Sequence, residues 1–241
     1  MTNFNIQIIS DTICPWCYVG YRRLSRAILA HQGQHPTDTF TLDWHAFYLN
    51  PSSPEYPGVN KAQAYGLKFG HERTAAIFAR LAAVGEGEGI KFNFGGNTGK
   101  TRDSHRLLWY AGQLEHAKRG TETETRTGTG TEGATAVIGG VQSRVAEKLF
   151  RAYFEDEKNI TDPAVLLEAG VEAGLDEGAV KKLLGSDEGG AQVDAEAKMA
   201  SMRLVTGVPY FTIQGKYAVE GADAPETFLE VFERVKEDEK A

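Results

Sequence analysis

Two cysteines, Cys14 and Cys17, are the residues of this sequence best suited to carry chemistry. They are the only cysteines of the 241-residue chain, and their spacing is Cys-x-x-Cys. An apolar run containing Ile6, Ile8 and Ile9 precedes the pair, and apolar residues at helical spacing follow it. A strand, a Cys-x-x-Cys pair and a helix in this order are typical of a dithiol/disulfide redox site.

Pro15, which follows Cys14, and the helix predicted to start there support this chemistry. Pro15 fits the first position of a helix, where its missing N–H costs nothing. Cys14 would then lie at the positive end of the helix dipole, which stabilises a thiolate. Cys17 lies one turn further on the buried face, from where it can close a disulfide onto Cys14.

Three other roles for the cysteines are open. A structural disulfide across so short a loop would gain only about 2 kcal/mol. A zinc site needs about four ligands, yet there is no second cysteine pair. None of the six histidines shows a metal-ligand spacing relative to Cys14 and Cys17. Two inert buried thiols are the third possibility. We favour the redox site and predict neither a metal nor an organic cofactor.

The composition limits the class of protein. With 41% hydrophobic and 24% charged residues it is that of a globular protein. A net charge of −7 and no basic patch argue against a nucleic-acid partner. No apolar run approaches the roughly 18 residues of a membrane span. The first residues do not resemble a signal peptide, so we expect a cytoplasmic protein. In a reducing compartment a lone Cys-x-x-Cys is typically catalytic.

The elements around the pair form a compact βαβ unit. Residues 4–10 have the pattern of a largely buried strand, and residues 39–46 alternate as a second strand. The helix between them is predicted over about 15–30, with Gly33 as its C-terminal cap. A turn-rich linker at 50–58 then ends the unit.

Helical patterns dominate the middle of the chain, and strand signals return near its end. The run Gly85–Gly89 is predicted as a loop and rejected as a dinucleotide fingerprint, because no strand precedes it. Residues 121–135 are nearly all Thr, Glu and Gly, which predicts a flexible surface insertion. The predicted helices cover 77–84, 106–116, 141–154, a stretch starting at Asp162–Pro163, and 187–206.

Residues 207–213 and 216–220 form a predicted hairpin about Gln214–Gly215, and a helix starts at Pro225. Neither end of the chain alone makes an independently stable sheet, so both should share one. We therefore predict an α/β fold with an inserted helical domain. Its parts are 1–50, the insertion at 51–190, and 191–241.

Together these motifs resemble the DsbA-like thioredoxin superfamily, most closely its FrnE-like branch. The resemblance covers most of the chain. It is carried by Cys14-Pro15-Trp16-Cys17-Tyr18-Val19-Gly20 with Ser10-Asp11 before it, Phe47-Tyr48-Leu49-Asn50-Pro51, Asn97-Thr98, Ser104-His105-Arg106-Leu107, Leu149-Phe150-Arg151-Ala152-Tyr153-Phe154, Gly207-Val208-Pro209-Tyr210-Phe211 and Tyr217-Ala218-Val219-Glu220-Gly221-Ala222.

The resemblance implies a thioredoxin-like fold with an inserted all-helical domain. It also implies a cis bond before Pro209, with Val208 offering its backbone to substrate and Pro209 packing on the sulfurs. An ordinary trans proline at a strand start is the alternative. Pro15 and Trp16 would border the bound substrate, with Trp16 tuning access.

Three residues of the helical-domain motif have two interpretations. Asn97, Thr98 and His105 could line the cleft over Cys14. We favour the simpler one, in which Asn97 and Thr98 cap a helix and His105 is a hydrogen-bonded, half-buried side chain.

The activity implied is thiol–disulfide exchange with protein or small-molecule thiols. Glutathione is a candidate co-substrate. Two alternatives stay open: a glutathione-dependent isomerase or transferase, similar to the kappa-class transferases and 2-hydroxychromene-2-carboxylate isomerases, or a redox-switch binding module. The sequence does not specify the substrate, the redox direction or the oligomeric state.

His31 and His35 are four residues apart, a spacing that can bind metal on a continuous helix. Because Gly33 is predicted to end the helix between them, we do not expect a metal site there.

Overall fold

Strands from the first and last parts of the described chain form one sheet, and most of the helices lie between them in sequence. The computed structural model describes residues 1–119, 138–202 and 205–240. The elements are, in chain order, β1 (Asn3–Ser10), α1 (Pro15–Gln34), β2 (Thr39–Ala46), β3 (Val59–Asn60), α2 (Lys61–Phe69), α3 (His71–Glu88), β4 (Asn97–Thr98), α4 (Arg102–Arg119), α5 (Val141–Phe154), α6 (Pro163–Glu172), α7 (Glu177–Leu184), α8 (Gly190–Met202), β5 (Tyr210–Ile213), β6 (Tyr217–Glu220) and α9 (Pro225–Asp238).

The main sheet joins both ends of the chain, as predicted. Its strand order is β2-β1-β5-β6. Strand β1 pairs in parallel with β2 and antiparallel with β5. The β5–β6 hairpin turns at Gln214 and Gly215, both at positive φ (54° and 64°), which matches the twist of the flanking strands.

One part of the core lies between the sheet and the helices α1 and α9, which pack on each other, and the core continues into the inserted helices. Phe4, Ile6 and Ile8 of β1 are fully buried, whereas the residues that alternate with them, such as Asn5 and Gln7, are exposed. Strand β1 is therefore buried on one face, and not on both as its Ile8–Ile9 run suggested. The apolar residues on the inner face of α9 are all buried: Phe228, Val231, Phe232 and Val235.

Strand β2 is an outer strand of the sheet, and side chains satisfy part of its free edge. The Trp44 N–H donates to Gln142 Oε1 at 3.0 Å, and Gln142 Nε2 donates to the Trp44 carbonyl at 3.2 Å. The Ala46 N–H donates to Glu196 Oε2 at 3.0 Å. Gln142 on α5 and Glu196 on α8 thus occupy positions that a further strand would need.

Helix α1 is longer than predicted. It runs through Gly33 to Gln34, and His35 follows as its C-terminal cap, with its N–H donating to the His31 carbonyl at 2.8 Å. The prediction that Gly33 caps this helix is therefore wrong. A single glycine costs a helix only about 1 kcal/mol, which the packing of α1 can offset.

The predicted loop at Gly85–Gly89 is also wrong, because α3 continues to Glu88 and only Gly89 leaves the helix, at φ 69°. A Cβ on Gly85 would lie 2.5 Å from Phe92 Cδ2. The glycine inside the helix therefore makes room for a packed ring.

The inserted segment carries a short ladder besides its helices, in which Val59 pairs with Thr98 and Asn60 with Asn97. The Thr/Glu/Gly stretch at 121–135 lies outside the described residues, and the domain boundaries stay a prediction. Among the residues that the structure describes, no helix is long and apolar enough to span a membrane.

Candidate active site

Cys14 and Cys17 lie at the start of α1. Cys14 is the N-terminal cap, with extended backbone, and Pro15 is the first helical residue, as predicted. The Cys17 N–H donates to the Cys14 carbonyl at 3.1 Å, and the Cys14 N–H donates to the Asp11 carbonyl at 3.0 Å. Both cysteines are free thiols, with only 4% of Cys14 and 1% of Cys17 exposed. The arrangement places one thiol at the helix end and the other one turn behind it.

Burial makes the Cys17 thiol a weaker acid than an ordinary cysteine. It raises the pKa of the Cys17 thiol well above its ordinary value, and the hydrogen bond with Cys14 raises it further. The neighbouring Ser10 side chain and the Asp11 backbone act in the opposite direction but do not outweigh burial. The Ser10 hydroxyl is itself buried without a hydrogen-bond partner among the described residues, so it can turn toward the Cys17 sulfur.

Val208 and Pro209 face the cysteine pair across the site. The bond between them is cis, as the resemblance implied, so the alternative of a trans proline is wrong. The Cys14 thiol donates to the Val208 carbonyl at 3.5 Å. The Val208 backbone therefore lies beside Cys14, and its role in binding substrate stays a prediction.

Gly20 lets α1 approach this proline. A Cβ on Gly20 would lie 2.8 Å from Pro209 Cγ and 3.1 Å from Phe211 Cζ. The helix that carries both thiols can therefore pack on Pro209 only if this position has no side chain. The sequence contained the signal, a glycine on the buried face of α1, but its partner was not apparent.

Trp16 connects the cysteine pair to the inserted helices. Its side chain is partly buried, and the Arg80 guanidinium of α3 lies 5.3 Å from its ring centroid, in cation–π contact. Arg80 had no signal in the sequence, because nothing in the spacing of α3 indicates that it reaches the redox pair.

A buried polar network fixes the loop before Cys14. Asp11 is fully buried, and its carboxylate accepts the Leu49 N–H at 2.8 Å. His105 Nε2 lies 3.5 Å from Asp11 Oδ1 and 3.1 Å from the Phe47 carbonyl. His105 is therefore a hydrogen-bonded interior side chain, more deeply buried than expected, that ties the loop to α4.

Asn97 and Thr98 do not cap a helix, contrary to our expectation, because they form strand β4. Asn97 Nδ2 donates to the Pro57 carbonyl at 3.0 Å, and the Thr98 hydroxyl accepts from the Tyr153 hydroxyl at 2.8 Å. Pairing with β3 takes up their backbone instead. These contacts hold the small ladder of the insertion together.

Sequence comparisons relate the chain to proteins of thiol–disulfide chemistry. A model of the family described as DSBA-like thioredoxin domain matches residues 5–125 and 128–233. The thiol:disulfide interchange protein DsbA of Azotobacter vinelandii is 30% identical over 104 residues, or 42% of this chain and 49% of that relative. The chain thus spans about half the length of this curated relative.

Two solved structures have a similar fold. A probable DsbA oxidoreductase from Streptomyces coelicolor is similar with a TM-score of 0.75 and 27% identity, covering 95% of this chain and 88% of that one. A 2-hydroxychromene-2-carboxylate isomerase is similar with a TM-score of 0.58 and 15% identity, covering 98% of both chains. At this identity the second likeness concerns the fold alone.

Proposed function

The chain belongs to the DSBA-like thioredoxin domain family, and from this premise we propose that it is a thiol–disulfide oxidoreductase whose reacting groups are Cys14 and Cys17. One observation carries the proposal: two free thiols lie one turn apart at the start of α1, and the first contacts the Val208 carbonyl beside cis-Pro209. The motifs around the pair support a place in the FrnE-like branch.

In the reducing direction the Cys14 thiolate attacks a substrate disulfide. One substrate sulfur bonds to Cys14, and the other leaves as a thiolate that takes up a proton. Cys17 then loses its proton and attacks the Cys14 sulfur. This closes the Cys14–Cys17 disulfide and releases the second substrate thiol, so the substrate gains two electrons and the protein loses two.

In the oxidising direction the same steps run backwards. A substrate thiolate attacks Cys14 in the intramolecular disulfide, and Cys17 leaves as a thiolate that is protonated. A second substrate thiol then attacks its own mixed disulfide and releases Cys14. The two thiols exchange electrons in pairs with the substrate, so the cycle needs neither a metal nor an organic cofactor.

The residues around the thiols suit them to hold an extended substrate. The Val208 backbone can pair with a peptide strand once Cys14 is bonded to substrate and no longer donates to the Val208 carbonyl. Pro15, Trp16 and Pro209 would provide the apolar border, with Trp16 at the partly exposed side. We propose these four residues as the substrate-binding set.

Serine substitutions of the two cysteines test the function directly. Cys14→Ser should abolish turnover of a model protein disulfide, whereas Cys17→Ser should accumulate a mixed disulfide visible as a mass increase. A Cys14→Ser protein with undiminished disulfide reductase activity would refute the assignment. If Cys17→Ser retains full turnover with glutathione and a non-disulfide substrate, the protein is instead a glutathione-dependent isomerase or transferase.

The direction of exchange follows from the potential of the pair, which equilibration with glutathione would measure. We propose that the protein works in the cytoplasm, with protein thiols or glutathione as partners. A potential near about −270 mV would make it a reductant, and one above roughly −200 mV an oxidant or isomerase.

A further inference from the structure

The far end of α1 brings two histidines and a glutamate together. One ligand atom from each of His31, His35 and Glu233 lies within 4.8 Å of the others. His31 follows Cys17 by fourteen residues on the same helix, or roughly 21 Å at the usual helical rise. We infer that these three side chains bind a divalent transition metal ion of the zinc class, at a site separate from the thiols.

The burial and hydrogen bonding of His31 suit it to be the fixed ligand. Its side chain is buried, and Nε2 lies 3.0 Å from Asp38 Oδ2. A histidine that binds metal commonly donates its second ring N–H to a carboxylate, which sets the orientation of the ring. With Nε2 held by Asp38, Nδ1 is the nitrogen that would bind the ion.

Asp38 is itself held in place. Its carboxylate accepts the Thr2 N–H at 2.8 Å and the Lys236 ammonium at 2.8 Å. Lys236 lies one turn after Glu233 and would repel a cation, but Asp38 compensates its charge directly.

His35 and Glu233 provide the accessible side of the site. Their side chains are 35% and 60% exposed, and His35 Nε2 lies 3.6 Å from Glu233 Oε1. The centroids of the His31 and His35 rings are 4.6 Å apart. Ligands about 2.0–2.1 Å from a tetrahedral zinc ion are roughly 3.4 Å from one another. The three ligand atoms, which lie within 4.8 Å of one another, can reach this spacing if the His35 and Glu233 side chains move by about an ångström.

The donor set points to the kind of ion. Two imidazoles and one carboxylate suit zinc, cobalt or nickel better than calcium or magnesium, which prefer oxygen ligands. Water would fill the fourth position. Of the residues that the structure describes, these three alone form such a cluster. The histidine–carboxylate pairs His45–Glu196 and His116–Asp43 bring one imidazole each.

The test uses the full chain carrying Cys14→Ser and Cys17→Ser, because thiolates themselves bind zinc. Calorimetric titration with Zn²⁺ should give one ion per chain, and Co²⁺ should give the visible spectrum of a nitrogen- and oxygen-ligated tetrahedral ion. Adding His35→Ala or Glu233→Gln should weaken Zn²⁺ binding at least tenfold. Glu230→Gln and His116→Ala, matched surface controls, should leave the affinity unchanged.

The remaining outcomes contradict the inference. If Zn²⁺ does not bind in this background, or if either His35→Ala or Glu233→Gln binds it as tightly as the controls do, the cluster is a structural network only. Circular dichroism of each variant confirms its fold, which the surface positions of His35 and Glu233 should preserve. Because the thiols are absent from every variant, the result is independent of the proposed redox function.

Discussion

At the scale of residues, burial assigns the two thiols different tasks. Cys17 lies behind Cys14 with almost no exposed surface, and burial raises the pKa of its thiol well above the ordinary value. At neutral pH it is therefore protonated and does not compete with Cys14 for an incoming disulfide. Resolution of the mixed disulfide must wait until Cys17 loses its proton.

This predicts a strong pH dependence of the resolving step. The fraction of Cys17 thiolate rises about tenfold per pH unit below its pKa. Release of a coloured thiol from a preformed Cys14 mixed disulfide should therefore accelerate nearly tenfold per unit from about pH 6 to about pH 8. Stopped-flow absorbance measures the release, and Cys17→Ser should show none. A rate that is flat over this range would contradict a raised Cys17 pKa.

At the scale of elements, α1 holds the redox pair at one end and the His31 cluster at the other. Its two glycines, Gly20 and Gly33, have contrasting surroundings. A Cβ at Gly20 would contact Pro209 Cγ at 2.8 Å, whereas a Cβ at Gly33 would have no atom within 4 Å. The helix therefore needs a glycine where it faces Pro209 and merely tolerates one near its end.

The two glycines give a matched pair of substitutions. Gly20→Ala should destabilise the protein by about 1–3 kcal/mol through overpacking and slow thiol exchange by moving α1 away from Pro209. Gly33→Ala should stabilise it by about 0.5–1 kcal/mol, since alanine favours the helix. Urea unfolding and a disulfide reductase assay of both variants provide the measurement. Equal stability of the two would show that Pro209 does not constrain α1.

At the scale of the whole molecule, one polar network joins the beginning of the chain to its end. Asp38 binds the Thr2 N–H, His31 of α1 and Lys236 of α9. Burial alone would raise the pKa of Asp38, but the hydrogen bonds from Lys236, Thr2 and His31 hold it well below its ordinary value. The charge of this carboxylate therefore stabilises the closure of the fold.

The network predicts that acid weakens the fold in two stages. Because burial lowers the folded-state pKa of His31, the unfolded chain takes up its proton first, and stability should fall below about pH 6.5. Because the folded-state pKa of Asp38 is also lowered, its contribution is present above about pH 4 and lost below it.

Urea midpoints measured across this pH range, with chelator to remove metal ions, check the prediction. His31→Gln should remove the first stage and Asp38→Asn the second. Each variant should also be less stable than the wild-type protein at neutral pH. Wild-type protein as stable at about pH 5 as at about pH 7 would contradict the first stage.

Much of the site could be predicted from the sequence, because it depends on local pattern. The position of Pro15 and the turn at Gln214–Gly215 follow from short-range rules and are confirmed. Helix α5 has the bounds that its apolar spacing predicted. The cis bond before Pro209 was expected only through the family resemblance.

The errors come from contacts between distant residues. The glycine pattern predicts helix ends at Gly33 and Gly85, yet both lie inside helices, with Phe92 filling the space at Gly85. Asn97 and Thr98 have the composition of a cap but pair with Val59 and Asn60. Arg80 beside Trp16 could not be predicted, since nothing local fixes how an inserted helix meets the redox pair.

The side chains along β2 also bear on self-association, because they lie at an outer edge of the sheet. An outer strand with open backbone groups is a template on which strands of other chains can grow into aggregates. Here Gln142 and Glu196 cover the backbone groups of Trp44 and Ala46 at this edge, from within the same molecule. A chain in which α5 and α8 dock late would expose this edge, so correct docking of these two helices protects the sheet from self-association as well as completing the fold.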